Sequence, residues 1–268
     1  MQNEVIRSRQ NRLVKLVCSL ERKKGREESG LFRFDGIKLC NEALLKGVAL
    51  EYVFVAESRY AEISARLLGD APLFVVSDDV FSKMSDEKSP EGIISVAKRL
   101  DSLHTFGDAE ELCLPNEGER VFMLESIRDP GNLGTIIRTA ASLGIDRLIL
   151  SSDCADIYNP KTVRACMGSL FRTDIRRSDD IACEVARLRG EGFRVFATAL
   201  DKNSLDIRDV DFSGKIGFVI GNEGHGVSPE AIEACDGTVI IPMREGPESL
   251  NAAVASSVVM WEAARKRL

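Results

Sequence analysis

The C-terminal half of the chain contains three polar, glycine-punctuated blocks, each placed where an apolar, strand-like run ends. The first block is residues 124–140, the second is residues 221–228, and the third is residues 241–243 with 249–252. In an open α/β sheet, ligands bind beyond the carboxyl ends of the strands, because strand ends and helix starts present free backbone groups there. The polar side chains of the three blocks therefore predict one assembled site at the edge of a sheet.

Alternating strand-like and helix-like segments predict an α/β protein with two domains. Residues 120–268 predict a mostly parallel sheet covered by helices on both faces, and residues 1–103 a smaller α/β or α+β domain. Residues 104–119 are acidic and rich in helix-breaking residues, which is typical of a linker. The predicted strands are 31–34, 52–55, 73–76, 92–97, 120–124, 147–150, 194–198, 216–220 and 239–241. The predicted helices are 5–18, 37–47, 60–68, 131–143, 161–168, 179–189, 229–235 and 250–266.

With 44% apolar and 29% charged residues, the composition is that of a soluble globular protein. No apolar run approaches the length that crosses a membrane, and the N-terminus shows no apolar signal region, so a cytoplasmic location is expected. The seven cysteines form no Cys-x-x-Cys pair, and only two histidines accompany them. We therefore predict reduced thiols and no metal site.

The charge of the chain is unevenly distributed. The net charge of -6 argues against binding of nucleic acid by bulk charge, yet residues 1–26 hold eight basic and two acidic residues. A local basic patch can dock phosphates on an acidic protein, although a solvated helix face explains the same pattern equally well. The phosphate contacts predicted in this segment are Arg22, Lys23, Lys24 and Arg26.

The second block has the pattern Gly-x-x-Gly-x-Gly, over Gly221, Gly224 and Gly226, rather than the Gly-x-Gly-x-x-Gly of dinucleotide-binding folds. Glycines at these positions permit close approach of a ligand to the backbone and turns with positive φ. A tight strand-to-helix turn capped by Ser228 explains the same residues, so the block alone leaves both interpretations open.

Asn132 and Arg138 of the first block do not share a helix face, because six residues turn a helix by about 240°. Asn132 would act from the helix start, while Arg138 points to another element or is an exposed helix arginine. In the third block, Ser249 is a common N-cap residue, and Asn251 falls in the first turn of the last helix, where it is either functional or solvated.

In their order and spacing, the three blocks resemble the motifs of the SpoU (TrmH-like) branch of the SPOUT methyltransferases. Members transfer a methyl group from S-adenosylmethionine to a ribose 2′-hydroxyl of RNA. The resemblance spans residues 120–268 and implies a parallel-sheet domain whose C-terminal trefoil knot holds the cofactor, S-adenosylmethionine. Residues 31–39 resemble part of the ribosomal-protein-like α/β domain with which many members bind their substrate.

The resemblance also implies which residues bind and which react. The implied cofactor contacts are Gly221, Ile241 and Leu250, with Met243, Ala199 and Leu200 as further candidates. The implied catalytic residues are Asn132, Arg138, Glu223, Ser249 and Asn251. Because a guanidinium stays protonated in proteins, Arg138 is expected to hold the neighbouring phosphate or to stabilise developing alkoxide charge. Glu223 is expected to orient Arg138 or an asparagine, and Ser249 and Asn251 to position the ribose and phosphate.

Further RNA contacts and a homodimer follow from the same resemblance. Family members use the stretch that matches residues 159–172 near the active site and the dimer interface, which implies phosphate contacts by Lys161, Arg164 and Arg172. A plain solvated helix is the alternative for these three residues. Members act as homodimers in which Arg138 would work at the cofactor site of the partner, and Trp261 on the last helix is a candidate anchor.

The implied function is 2′-O-methylation of RNA. The N-terminal domain favours ribosomal RNA as the substrate, because members that modify the transfer RNA D-loop usually lack it. The alternatives are the same reaction on transfer RNA and a non-catalytic RNA-binding assembly factor. The sequence does not identify the modified nucleotide.

Overall fold

The computed structural model describes residues 4–69, 71–87, 89–100, 118–201, 203–222, 224–244 and 249–267. The helices are α1 (Arg12–Ser19), α2 (Lys23–Ser29), α3 (Ile37–Leu45), α4 (Tyr60–Arg66), α5 (Asp78–Met84), α6 (Pro130–Ser142), α7 (Pro160–Cys166), α8 (Ile181–Gly190), α9 (Pro229–Ala234) and α10 (Ala252–Ala264). The strands are β1 (Leu31–Asp35), β2 (Leu50–Ala56), β3 (Leu73–Val76), β4 (Ile93–Lys98), β5 (Arg120–Leu124), β6 (Arg147–Ser151), β7 (Ile175–Ser178), β8 (Arg194–Thr198), β9 (Leu205–Asp206), β10 (Ile216–Ile220) and β11 (Gly237–Ile240).

The described residues form two compact units. The first unit comprises residues 4–100 and 156–172, and the second comprises residues 118–155 and 173–267. Helix α7 and its flanking residues therefore belong to the first unit, although the sequence analysis places them in the second predicted domain. The predicted division at residues 103 and 119 stays a prediction, since residues 101–117 lie outside the described part of the chain.

The first unit is built on a four-stranded sheet with the order β1-β4-β2-β3. Strand β4 pairs antiparallel with β1 and β2, and β2 pairs parallel with β3. Helices α1 and α5 cover this sheet through a core that includes Val17, Phe54, Val76, Phe81 and Ile94. The alternation of apolar residues in these strands and helices provides the buried faces that hold the unit together.

The second unit is built on a sheet of seven described strands with the order β7-β6-β5-β10-β8-β11-β9, in which every neighbouring pair is parallel. Strands β5 and β10 are buried along their whole length, as expected for a sheet with helices on both faces. Part of the core lies between the sheet and helices α8 and α9, around Met123, Val185, Val195 and Val219. The predicted fold class, a parallel α/β sheet beside a smaller α/β unit, is confirmed.

The N-terminal helix differs from its prediction. Helix α1 begins at Arg12 instead of residue 5, with Asn11 as its N-cap. The preceding residues are extended, because Ile6 bridges to the edge of β3: its N–H donates to the Val75 carbonyl (2.9 Å), and its carbonyl accepts from Ser77 N–H (3.1 Å). Apolar residues at helical spacing cannot distinguish this extended pairing from about two more turns of helix.

Four elements were not predicted, namely α2, α5, β7 and β9. Strand β7 lies at one edge of the large sheet and contains Arg176 and Arg177 among its four residues. Arg176 pairs with Asp174 at 3.3 Å. Charged side chains are common on edge strands, and they hide the apolar pattern by which a strand is recognised.

Within the described residues, no helix combines the length and apolar character needed to span a membrane. The six described cysteines are free thiols.

Candidate active site

The three blocks meet along the edge of the large sheet at which its strands end. The first block follows β5, the second follows β10, the third follows β11, and Ala199 and Leu200 follow β8. These four strands are neighbours in the order β5-β10-β8-β11 and run parallel. Their carboxyl ends therefore place the loops side by side, which is the juxtaposition that the sequence predicts.

The loops after β8, β10 and β11 line a cavity of about 410 Å³. Its lining includes all six residues that the sequence analysis assigns to the cofactor, namely Ala199, Leu200, Gly221, Ile241, Met243 and Leu250. Leu200 is 66% exposed and Met243 is 37% exposed. Exposed apolar side chains beside a concave, mostly apolar surface are what a small organic ligand covers on binding. Ser249 lines the same cavity, whereas Asn132, Arg138 and Asn251 do not.

The glycine loop, residues 221–228, is closed by bonds across its own base. Asn222 N–H donates to the Gly226 carbonyl (3.2 Å), and Gly226 N–H donates to the Asn222 carbonyl (2.8 Å). The Asn222 side-chain oxygen accepts from Gly224 N–H at 2.7 Å. A Cβ on Gly221 would lie 2.1 Å from the Gly226 carbonyl carbon, so only glycine fits at this position. Glu223, a predicted catalytic residue, lies outside the described residues.

The first block is bonded to both ends of the glycine loop. The Glu125 carboxylate accepts from the backbone N–H and from the hydroxyl of Ser228, at 2.8 Å each. At the other end, the Asn222 side-chain amide donates to the Ser126 carbonyl (3.0 Å). Ser228 is also the N-cap of α9, as the alternative interpretation of the second block predicted. These contacts fix the loop after β5 against the loop after β10.

The starts of α6 and α10 are joined by two of the predicted catalytic residues. The Asn251 side-chain amide donates to the Asn132 side-chain oxygen at 3.1 Å. The Asn251 oxygen accepts from the N–H groups of Ala253 (3.0 Å) and Val254 (3.3 Å), which makes Asn251 the N-cap of α10. The expectation that Ser249 could be the N-cap is therefore wrong, since the helix begins two residues later.

Arg138 is exposed on α6. Among the described residues, its guanidinium has no hydrogen-bond or ion-pair partner. The structure thus brings Asn132 and Asn251 into contact and places Ser249 in the cavity, but it does not bring Arg138 to either.

A shallow, largely apolar depression of about 460 Å³ lies on the face shared by α6 and α10. Asn132 and Asn251 line one part of it, and Val254 and Trp261 line another. Val254 is 50% exposed and Trp261 is 51% exposed. The predicted anchor Trp261 is therefore available on the surface of this chain, on the face that carries two predicted catalytic residues.

The residues predicted to bind RNA all belong to the first unit. Arg22, Lys23 and Lys24 are exposed, and the two lysines form weak ion pairs one helical turn along, with Glu27 (3.6 Å) and Glu28 (3.7 Å). Exposed pairs of this kind contribute little and can be exchanged for a phosphate. The charge of α2 is nevertheless lower than the basic run suggests.

Arg26 differs from its prediction. Its side chain is 3% exposed, pairs with Asp156 at 2.7 Å, and donates to the carbonyls of Leu20 (2.8 Å) and Glu21 (2.9 Å). A guanidinium engaged in this way is not available to a phosphate. Arg26 is a structural residue that ties the segment around α7 to the N-terminal helices.

The other three predicted RNA contacts lie in and just after α7. Lys161 and Arg164 are exposed, and Arg164 pairs with Glu87 at 3.0 Å. Arg172 is exposed and donates to the Ser169 hydroxyl at 3.4 Å. Their side chains are accessible on the first unit, and their contact with RNA stays a prediction.

Three residues that hold the loops of the site together were not predicted, namely Glu125, Asn222 and Asp153. Asn222 lines the cavity, and Asp153 accepts hydrogen bonds from the loop after β5. Position after a strand end is the signal that could have found Glu125 and Asn222. Within the described residues, no three His, Cys, Asp or Glu side chains converge as metal ligands.

The chain is similar in sequence and in structure to known rRNA methyltransferases. Residues 119–261 match the model of the SpoU rRNA Methylase family, and residues 11–95 match the MRM3-like substrate binding domain. A 23S rRNA (guanosine(2553)-2'-O)-methyltransferase, RlmP, of Bacillus subtilis (strain 168) is 32% identical over 96% of this chain and 97% of its own length. An rRNA methyltransferase from Sinorhizobium meliloti has a crystal structure with 30% identity and a TM-score of 0.86 over 100% of both chains. Its AdoMet-bound form has a TM-score of 0.85 at 30% identity, over 99% of this chain and 98% of that one.

Proposed function

Because the chain belongs to the SpoU rRNA methylase family, we propose that it transfers the methyl group of S-adenosylmethionine to a ribose 2′-hydroxyl of ribosomal RNA. The cavity formed by the loops after β8, β10 and β11 is the observation that carries this proposal. Its volume of about 410 Å³ falls within the range of small-molecule pockets, about 300–1,000 Å³. Apolar walls at Ile241 and Leu250 suit an adenine ring, and Gly221, which lines the cavity without a side chain, lets a ribose approach the backbone.

When bound, S-adenosylmethionine would supply an electrophilic methyl group and leave as S-adenosylhomocysteine. The chain positions the 2′-hydroxyl that attacks the methyl group, and the hydroxyl proton passes to a phosphate oxygen or a water molecule. Arg138 holds the phosphate next to the reacting ribose, or stabilises the alkoxide as its charge develops. Asn132 and Asn251 orient the ribose through amide groups that they already hold together. Ser249 contributes a hydroxyl at the rim of the cavity, and Glu223 orients Arg138 or an asparagine.

The reaction requires a homodimer in this proposal. Asn132 and Asn251 lie outside the cavity, on the exposed α6–α10 face that also presents Trp261. A second copy seated on this face would bury the apolar side chains and bring Arg138 of one copy to the cavity of the other. Symmetric homodimers bury the same face on both copies, which fits a single apolar patch.

Ribosomal RNA is the proposed substrate, and the first unit is the proposed contact surface. Arg22, Lys23 and Lys24 from the N-terminal region, with Lys161 and Arg172 from the second chain segment of this unit, would contact phosphates. Recognition of RNA by shape and backbone fits such a set of exposed cations. A cytoplasmic location, a trefoil knot around the cofactor and the absence of a metal remain predictions.

The reaction is tested by transfer of tritiated methyl from S-adenosylmethionine to total RNA from a strain that lacks this gene. We expect label in ribosomal RNA with the wild-type protein and none with Arg138→Ala. Arg189→Ala, which removes another exposed helix arginine, is the matched control and should retain activity. Label in transfer RNA alone would replace the substrate assignment, and absence of label in any RNA would favour a binding-only protein.

The dimeric arrangement is tested by mixing two inactive variants. Gly221→Val distorts the glycine loop that lines the cavity, because its Cβ would meet the Gly226 backbone, but it keeps Arg138. Arg138→Ala keeps the cavity. If Arg138 acts on the partner, a refolded equimolar mixture should recover about a quarter of wild-type activity, because half of the dimers are mixed and each has one complete site. A mixture as inactive as its parents would show that Arg138 acts within its own chain.

The contact surface is tested by the salt dependence of RNA binding. Reversal of Arg22, Lys23 and Lys24 to Glu should weaken binding and lower the slope of log Kd against log salt by about two to three, the number of phosphate contacts removed. Lys46→Glu, which reverses an exposed lysine at the end of α3, is compared with Lys23→Glu alone, because both single reversals change the net charge equally. Equal losses in both proteins would refute the assignment.

A further inference from the structure

Ser126, in the loop after β5 (residues 125–129), has a backbone conformation that serine rarely adopts. Its φ is 58°, and only one other described residue besides glycines, Met167, has a positive φ. This conformation places the Cβ close to the carbonyl oxygen and persists only where surrounding contacts impose it. The contacts around Ser126 therefore indicate which part of the structure requires this conformation.

Three polar groups of Ser126 are each bonded to a different residue. Its N–H donates to the Ser151 hydroxyl (2.9 Å), and its hydroxyl donates to the Asp153 carboxylate (2.7 Å). Its carbonyl accepts from the side-chain amide of Asn222 (3.0 Å). Ser126 is thus held from one side by Ser151 at the end of β6 and by Asp153 just after it, and from the other side by the glycine loop.

Asp153 organises the β6 side of this arrangement. One carboxylate oxygen accepts from the Ser151 hydroxyl (2.6 Å), and the other accepts from Ser126 (2.7 Å) and from the Arg128 guanidinium (3.0 Å). Burial alone would raise the pKa of Asp153, but the hydrogen bonds from Ser126, Ser151 and Arg128 outweigh it and lower the pKa to about 2. The group is therefore a carboxylate at every pH at which the protein would work.

The glycine-loop side of the arrangement lines the cavity. The side-chain amide of Asn222 donates to the Ser126 carbonyl, while its side-chain oxygen accepts from Gly224 N–H. The backbone of Asn222 is bonded to the backbone of Gly226. Asn222, Gly224 and Gly226 all line the cavity, whereas Ser126 and Asp153 do not. The same loop after β5 leads directly into α6, where Asp129 caps the helix and Asn132 occupies the first turn.

We propose that Asp153 is a positioning residue for methyl transfer, which holds Ser126 in its left-handed conformation and thereby keeps the glycine loop and the start of α6 in register. Asp153 acts through Ser126 and Asn222 and does not touch the cofactor. The inference that Asp153 supports methyl transfer rests on the proposed function, but the inference that Asp153 maintains the shape of the cavity does not. Affinity for S-adenosylmethionine therefore tests it separately from methyl transfer.

The first test compares the affinity of the full-length protein variants for S-adenosylmethionine by titration calorimetry. Asp153→Asn keeps a single acceptor oxygen, so one of the two serine hydroxyls loses its bond. We expect about tenfold weaker binding, the size of one net hydrogen bond to a charged group. Ser126→Ala should have a similar effect, because alanine must adopt the same positive φ without the hydroxyl that stabilises it.

Ser126→Gly separates conformation from the hydroxyl itself. Glycine adopts a φ of 58° without strain, so the loop should keep its course, and affinity should stay within about threefold of wild type. In the Ser126→Gly background, Asp153→Asn should have little further effect, which would appear as a coupling in a double-mutant cycle. Equal losses for Ser126→Gly and Ser126→Ala would overturn the proposal.

Asp211→Asn is the matched control for Asp153→Asn. The Asp211 carboxylate also accepts from a serine hydroxyl, that of Ser213 (2.7 Å), and pairs with an arginine, Arg194 (3.4 Å). It lies before β10, at the amino ends of the strands, whereas the cavity lies at their carboxyl ends. A merely structural role for Asp153 predicts that both variants lose thermal stability and both keep the affinity for S-adenosylmethionine. Positioning predicts a loss of affinity in Asp153→Asn alone.

Kinetics on ribosomal RNA complete the test. For Asp153→Asn, kcat should fall and KM for S-adenosylmethionine should rise, while KM for RNA stays unchanged, because the first unit is untouched. Wild-type affinity together with wild-type kcat in this variant would overturn the inference. If the wild-type protein binds S-adenosylmethionine but methylates no RNA, the proposed function fails while the calorimetric comparison still decides on Asp153.

Discussion

Asp35, at the end of β1 in the first unit, has an environment that disfavours its charged form. One of its carboxyl oxygens is buried and finds no hydrogen-bond partner among the residues that the structure describes. Burial is the main cause that raises the pKa of Asp35 from 3.8 to about 6. The positive charge of Arg33, and more weakly that of Arg164, opposes the rise, whereas the negative charges of Glu87 and Asp86 add to it. We predict that Asp35→Asn stabilises the protein, and that the gain depends on pH.

The magnitude follows from the shift in pKa. A rise from 3.8 to about 6 corresponds to about 3 kcal/mol at about 1.4 kcal/mol per unit, as an upper value, because water reaches part of the side chain. Since the folded state holds the proton more tightly, the penalty is absent below pH 4, grows between pH 4 and 6, and is complete above pH 6. Asp35→Asn should therefore gain up to about 3 kcal/mol in free energy of unfolding at pH 7 and almost nothing at pH 4.

The assay is urea unfolding at pH 4, 5, 6, 7 and 8. All three tyrosines lie in the first unit and the single tryptophan, Trp261, lies in the second, so the two units can be followed separately by fluorescence. Asp79→Asn is the control. The hydrogen bond from Ser77 is the main cause that lowers the pKa of Asp79, so replacing this carboxylate should destabilise the protein at pH 7. A stability difference for Asp35→Asn that does not grow from pH 4 to 7 would refute the reasoning.

Two further predictions concern contacts that join distant segments. Asp156→Asn leaves the guanidinium of Arg26, 3% exposed, without its counterion and should cost the first unit about 3 kcal/mol, measured by the same tyrosine transition. Asn251→Ala removes the N-cap of α10 and should lower stability by about 1 kcal/mol, whereas Asn251→Asp keeps the cap but cannot donate to Asn132. The aspartate variant should therefore unfold like wild type in thermal melts yet lose methyl transfer, and retained activity would contradict a role for the pair.

The position of the site could be predicted because it depends on local pattern and on one topological rule. Each block follows a strand, and parallel neighbours end at the same edge, so Gly221, Ile241 and Leu250 had to meet if the sheet was parallel. The family, the methyltransferase activity and the cofactor implied by the three blocks are confirmed by the family model, by the relatives and by the AdoMet-bound structure. The individual roles of the catalytic residues remain predictions.

Contacts between distant segments could not be predicted. A run of basic residues does not reveal that one member, Arg26, finds a single carboxylate 130 positions away, at Asp156. The left-handed conformation of Ser126 depends in the same way on Asp153 and Asn222, which only the strand order brings beside it. Periodicity describes which face of an element is buried, whereas these bonds depend on where the elements lie in the sheet.

The segment around α7 has consequences for how the substrate-binding unit is defined. Residues 156–172 fall within the matched SpoU region, yet they pack with the first unit. Tyr158 is 1% exposed, and its ring packs against Phe32 with a centroid separation of 4.7 Å and lies 5.1 Å under Arg99. Its hydroxyl accepts from Leu100 N–H at 2.8 Å. A fragment that begins at residue 119 would therefore carry a buried tyrosine and the carboxylate of Asp156 without their partners. The surface that we propose for RNA is consequently assembled from two chain segments, and the catalytic sequence cannot be separated from it at a single position.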